Sequence, residues 1–122
     1  MSAKKKKILL VEDEPLIQDI YLKKFQEAGF DITCVFSAEE AEKILRKRSF
    51  HLIILDILLP KEDGFSFLKK LRKEKNNIPV VVFSNLEGEE YLKEAKKHKA
   101  KDYLIKANYT PSEIVQKIQQ II

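Results

Sequence analysis

The sequence predicts an α/β fold, a doubly wound five-stranded parallel sheet with helices on both faces. Three observations carry the prediction. Five short apolar runs recur along the 122 residues, each is continuous and rich in β-branched residues, and each is followed by a segment with apolar residues at helical spacing. Continuous apolar character suits strands buried on both faces of a parallel sheet. Strict β-α alternation with short connections implies right-handed crossovers and helices on both faces.

The first strand is read at Ile8 to Val11. The helix after it begins at Pro15, carries Leu16, Ile17, Ile20, Tyr21, Phe25 and Ala28 on one face, and stops at Gly29. Proline suits the first helical position and glycine the residue just past the end. The second strand, Ile32 to Phe36, leads to a helix with Ala38, Ala41, Ile44 and Leu45 behind a capping box, Ser37 with Glu40. Leu52 to Leu55 is the third strand, followed by a helix presenting Phe67, Leu68 and Leu71. Val80 to Phe83 is the fourth, followed by Tyr91, Leu92 and Ala95. Tyr103 to Ile105 is the fifth, and its helix carries Ile114, Val115, Ile118, Ile121 and Ile122 behind a second capping box, Thr110 with Glu113 around Pro111.

With 44% hydrophobic and 34% charged residues, the chain suits one globular domain over residues 1–122, with residues 1–7 as a basic tail. Lysines give a formal net charge of +4, yet 19 acidic residues are interspersed and no alternation of aromatic and basic residues appears. The composition therefore disfavours nucleic acid as a partner. The apolar run after Lys4 to Lys7 has four strongly apolar residues, Ile8 to Val11, too few for a signal-peptide core. No run approaches the roughly 18 residues of a membrane span. A cytoplasmic protein is expected. The single Cys34 excludes an intramolecular disulfide and is read as a buried strand thiol without a redox role.

Polar groups follow four of the five apolar runs: Glu12 and Asp13, Asp56, Ser84, and Lys106. In a parallel sheet these ends share one rim, where open α/β sheets bind ligands. The second run ends at Phe36 and Ser37 without a charge, as an edge strand away from a site would. Three carboxylates brought together repel one another unless a cation joins them. Oxygen donors without a histidine or thiol suit Mg²⁺. Solvated loop-end acids are the bland alternative, but an aspartate directly ending Leu52-Ile53-Ile54-Leu55 is costly without a purpose. An aspartate can act as a nucleophile toward phosphorus. A metal ion, an ammonium group and a hydroxyl can then share the equatorial phosphoryl oxygens. His51 and His98 lack partners at ligand or triad spacing, and surface or cap roles are expected for both.

On these residues the chain resembles the receiver domains of two-component response regulators, including the stand-alone chemotaxis type. The matching stretches are Leu9-Leu10-Val11-Glu12-Asp13-Glu14, Asp56 through Gly64, Val82-Phe83-Ser84-Asn85, and Asp102-Tyr103-Leu104-Ile105-Lys106. The resemblance implies a flavodoxin-like (βα)5 fold with strand order 2-1-3-4-5. It implies that Asp56 accepts a phosphoryl group from a histidine kinase or phosphotransfer protein, and that the domain is a self-phosphorylating switch rather than an enzyme. Asp13, Asp56 and the backbone carbonyl of Leu58 would hold Mg²⁺, with Glu12 assisting through water. Ser84 and Lys106 would grip the phosphoryl oxygens, and Tyr103 would swing inward as Ser84 moves. Leu58 and Leu86 would flank the route of attacking water and, with Asn85 at the entrance to Asp56, tune the lifetime of the phosphoryl group. The fourth helix, fifth strand and fifth helix would form the output face for an effector protein.

The chain departs from the family pattern at three positions. Ala107 replaces a proline joined by a cis bond, and a cis bond to alanine costs about 2.5–4 kcal/mol. The loop is therefore either trans and reshaped, or strained. Asn85 replaces a small residue and is expected to narrow the entrance to Asp56. Lys99 replaces a glycine where a left-handed residue costs about 1–2 kcal/mol. Two other readings stay open: a receiver-like scaffold with a vestigial site, and, less favoured, a basic nucleic-acid binder. An aspartate-nucleophile phosphatase is disfavoured, because Asp56-Ile57-Leu58 lacks a second acid two residues on.

Overall fold

Each apolar run forms a strand, and the side chains of the central strands alternate between two buried faces. In the computed structural model, which describes residues 4–122, the order is β1 (Lys7–Val11), α1 (Pro15–Glu27), β2 (Asp31–Val35), α2 (Ala38–Lys47), β3 (Leu52–Leu55), α3 (Gly64–Lys73), β4 (Val80–Ser84), α4 (Glu89–Lys97), β5 (Asp102–Ile105) and α5 (Pro111–Ile121). The strands form one parallel sheet in the order β2-β1-β3-β4-β5. Ile8, Leu10, Leu52, Ile54, Val81 and Phe83 face α1 and α5 through Tyr21, Phe25, Ile114 and Ile118. Leu9, Val11, Ile53, Leu55 and Val80 face α2 and α3 through Ala41, Phe67 and Leu68. Val82 meets Ala95 of α4 and Ile57. Of the expected basic tail, residues 1–3 lie outside the described residues, Lys4 to Lys6 are exposed, and Lys7 already pairs with Asp31 as the first residue of β1.

Helix ends follow their local chemistry, with one shift. Thr110 and Glu113 form the expected reciprocal box. Ser37 accepts the Glu40 N–H, but the Glu40 carboxylate reaches past it to the Phe36 N–H at 3.2 Å. The box before α2 is therefore half formed, with its return bond one residue earlier.

The apolar stripe read on the first helix is wider than its contact. Leu16 is 71% and Ile20 39% exposed, whereas Gln18 is buried. Its amide donates to the carbonyls of Glu12 at 2.6 Å and Val35 at 2.9 Å. That ties α1 to the ends of β1 and β2, satisfying groups that burial would otherwise penalise. On α4, Leu92 is likewise exposed and Ala95 makes the core contact.

Lys99 adopts the left-handed conformation expected at its position, with φ 61°. Arg72 of α3 stabilises that turn from outside: Nε donates to the His98 carbonyl at 2.9 Å, one terminal nitrogen donates to the carbonyls of Asn76 and Ile78, and the other to that of Lys99. A planar fork can satisfy four carbonyls in this way, which a lysine ammonium cannot.

Candidate functional site

Four strand ends converge on the carboxyl rim of the sheet. Glu12 directly follows β1, Asp56 follows β3, Ser84 is the last residue of β4, and Lys106 follows β5. Strand pairing fixes their spacing, since Val11 pairs with Leu55 and Ser84 with Ile105. Glu12 and Ser84 are fully buried, and Asp56 nearly so. Two carboxylates ending buried strands are tolerable only with partners.

Lys106 supplies the partner. Its Nζ lies 2.8 Å from Asp56 Oδ2 and 2.5 Å from Glu12 Oε2, over the Phe83 ring at 5.2 Å. The other Asp56 oxygen, Oδ1, accepts the Leu58 N–H at 3.0 Å, so both oxygens are oriented. Glu12 Oε1 accepts the Glu14 N–H at 3.2 Å. Burial, followed by the Asp56 charge, nonetheless pushes the Glu12 carboxyl above its ordinary value despite the opposing Lys106 ammonium. On Lys106, burial acts downward, but the hydrogen bonds and charges of Asp56 and Glu12 prevail and hold the ammonium up. Tyr21 is pushed up to about 12, by burial first and then by Glu12.

Glu12, Asp13 and Asp56 each offer an oxygen to one point, with the three atoms within 4.8 Å of one another. This all-oxygen set, with an acid already destabilised as an anion, fits a hard divalent cation such as Mg²⁺. The backbone of Leu58 is anchored beside the set by its N–H bond to Asp56.

Ser84 Oγ accepts the Leu86 N–H at 3.3 Å, and the Leu86 carbonyl accepts the Tyr103 hydroxyl at 2.7 Å. Tyr103 is half-buried, in contact with the cluster formed by Ile57, Val82 and Ala95. Serine and tyrosine thus meet through one residue of the loop after β4. Leu58 is 57% exposed. Gly64 carries the loop after Asp56 back against its own start. A Cβ there would stand 2.5 Å from the Asp56 carbonyl oxygen and 2.8 Å from Ile57 Cα, so only glycine permits the approach.

The Lys106–Ala107 bond is trans and opens a single 3-10 turn over Lys106–Asn108. Of the two sequence alternatives for this loop, the trans and reshaped one holds. Asn85 Oδ1 accepts the Ala107 N–H at 2.8 Å, a contact that sequence reasoning missed. The two histidines stay out of the site. His51 Nδ1 accepts the Lys7 N–H at the amino end of β1, and His98 pairs with Glu94 on α4. Cys34 is half-buried, and burial pushes its thiol up to about 11, which keeps it protonated and inert.

Comparison with known proteins points to one family and fold. The response regulator receiver domain family model matches residues 8–119. A probable transcriptional regulator, ycf27, of Cyanidium caldarium is 34% identical over 94% of this chain and 45% of its own length. A probable C4-dicarboxylate response regulator, DctR, of Bacillus subtilis is 33% identical over 87% of this chain and 48% of its own. The chain thus spans about half the length of these curated relatives. Among solved structures, the receiver domain of Francisella response regulator 1452 superposes with a TM-score of 0.88 at 32% identity, covering 95% of both chains. The Vibrio cholerae chemotaxis protein CheY4 gives 0.90 at 25% identity, covering 98% of this chain and 100% of its own.

Proposed function

The chain belongs to the response regulator receiver domain family of two-component signalling, and from that membership we propose that it is a phosphoryl-accepting switch acting through Asp56, with a histidine kinase or phosphotransfer protein as donor. The observation that carries the proposal is the Lys106 ammonium held between Asp56 and Glu12, one strand away from the Ser84 hydroxyl. An Asp56 oxygen attacks the phosphorus of a phosphohistidine in line, the P–N bond breaks, and the imidazole leaves. Lys106, drawn from its carboxylates, and Ser84, released from the Leu86 N–H, take the phosphoryl oxygens. Asp13, Asp56 and the Leu58 carbonyl would hold Mg²⁺, with Glu12 acting through water. The ion supplies charge neutralisation at the acidic cluster and the transferred group.

Moving Ser84 toward the phosphoryl group removes the acceptor of the Leu86 N–H, and the Leu86 carbonyl is what holds the Tyr103 hydroxyl. Tyr103 is thereby freed to turn inward, altering the face of α4, β5 and α5 presented to an effector. The absence of any helix long and apolar enough to cross a membrane among the described residues fits the proposed cytoplasmic setting.

Mg²⁺ is expected to stabilise the folded chain, since the acidic cluster exists only once the strands assemble. At about ten times its dissociation constant the ion should add roughly 1.4 kcal/mol, raising the melting temperature by about 4–6 °C. Thermal melts in Mg²⁺ and in EDTA check this, and Asp13→Ala should erase the difference. Equal melting temperatures in the native protein would count against the cation site.

The phosphoryl group is expected to be long-lived. Leu58 and Leu86 are tied to the site by backbone N–H bonds to Asp56 and Ser84, but their side chains neither donate nor accept, leaving an attacking water unoriented. Leu58→Asn combined with Leu86→Glu should speed loss of phosphate by about tenfold at fixed Mg²⁺. Equal or slower decay in the double variant would refute the role of the leucines.

A further inference from the structure

The two departures at Asn85 and Ala107 are one device. Asn85 immediately follows Ser84 and Ala107 immediately follows Lys106, so the 2.8 Å bond from the Ala107 N–H to Asn85 Oδ1 joins the residues next to Ser84 and to the Lys106 that contacts Asp56. Ser84 and Ile105 are paired in the sheet, but pairing stops there, and Lys106 enters a 3-10 turn. The first N–H groups of such a turn have no acceptor of their own. Asn85 supplies one, across the gap between the ends of β4 and β5.

We infer that Asn85 is a positioning residue: its side-chain carbonyl, by capping the trans Lys106–Ala107 turn, aims the Lys106 ammonium at Asp56. The inference rests on the receiver reading for its consequence, but the geometry is independent of it. Lys106 has a long, freely rotating side chain, and its head must satisfy Asp56 and Glu12 while lying over Phe83. Where its Cα starts therefore decides whether the ammonium reaches both acids. Beyond Ile105 no ladder bond fixes that starting point, and the Asn85 contact does. Both Asn85 and Ala107 are exposed, so the bond contributes little to global stability and acts through direction. A proline at residue 107 would remove the donor, and an alanine at residue 85 the acceptor. Either change alone breaks the link.

The test compares the native protein with Asn85→Leu, which keeps the side-chain shape without the acceptor, and Asn85→Asp, which restores an acceptor. Two readouts are taken on each: amide exchange at Ala107 with the ¹⁵Nζ resonance of Lys106, and the rate of phosphoryl uptake from phosphoramidate in Mg²⁺. The expected result is faster Ala107 exchange and a displaced Lys106 resonance in Asn85→Leu, uptake slowed about fivefold, an unchanged Mg²⁺-induced shift in melting temperature, and recovery of exchange and resonance in Asn85→Asp. Native exchange and a native Lys106 resonance in Asn85→Leu would overturn the inference, as would unchanged uptake. A native protein that takes up no phosphoryl group would instead refute the receiver reading, and the exchange and resonance data would still decide the role of Asn85.

Discussion

Asp56→Asn is expected to incorporate no phosphate from any donor while keeping the native fold. The substitution removes the nucleophile but leaves an amide oxygen able to accept the Leu58 N–H now bound at 3.0 Å. It also removes one of two buried negative charges. The Asp56 charge is among the causes that hold the Glu12 carboxyl high, so in the variant Glu12 should titrate closer to its ordinary range. Circular dichroism, phosphate incorporation and a carboxyl titration by NMR check the three statements. Incorporation at the native level would remove Asp56 from the mechanism.

Lys106→Met should have the largest effect on stability as well as abolishing efficient uptake. Without the ammonium, Glu12 and Asp56 face each other buried and uncompensated, and loss of one partner of a buried ion pair costs about 3–5 kcal/mol. The Lys106 side chain is 10% exposed, so this variant should fall near the low end, about 3 kcal/mol at pH 7. The pH dependence has a definite sign. The Glu12 carboxyl already sits above its ordinary value of 4.5 in the folded chain, and losing Lys106 removes causes that lower it. A carboxyl raised by folding binds more protons folded than unfolded, so its stability is complete below the unfolded value and is lost as pH rises through the folded one. Lys106→Met should therefore regain stability on acidification from about pH 7 toward the ordinary carboxyl value, and regain part of it with Mg²⁺ at neutral pH. Denaturant melts across that range measure it. A destabilisation that does not change with pH would show that the ammonium is not the partner of these acids.

The fold and the rim were legible because both depend on local signals. A continuous β-branched run suits a strand buried on both faces, as in a parallel sheet, and a charged residue directly after such a run marks the strand end that must meet solvent or a ligand. Asp56 and Lys106 were visible for that reason, and Ser84 as a polar residue closing the fourth run. What escaped depends on contacts distant in sequence. Gln18 lies one and two helical turns before Tyr21 and Phe25, on the buried stripe. A polar residue at a core position was the available signal, but its acceptors, the Glu12 and Val35 carbonyls, come from two strand ends. Arg72 likewise reads as one more surface charge, because its four acceptors lie on turns up to 27 residues away. Leu16 and Ile20 mislead in the opposite direction. Helical spacing marks a face, but the width of the sheet beneath decides how much of it is covered. Asn85 and Ala107 each stand out as a departure, and only the chain's return at β5 makes them partners.

The most direct test of phosphoryl transfer to Asp56 is the intact mass of the native protein after incubation with phosphoramidate and Mg²⁺. A gain of one phosphoryl group is predicted, lost when EDTA replaces Mg²⁺ and absent in Asp56→Asn. No gain in the presence of Mg²⁺, or a gain that persists in Asp56→Asn, would contradict it.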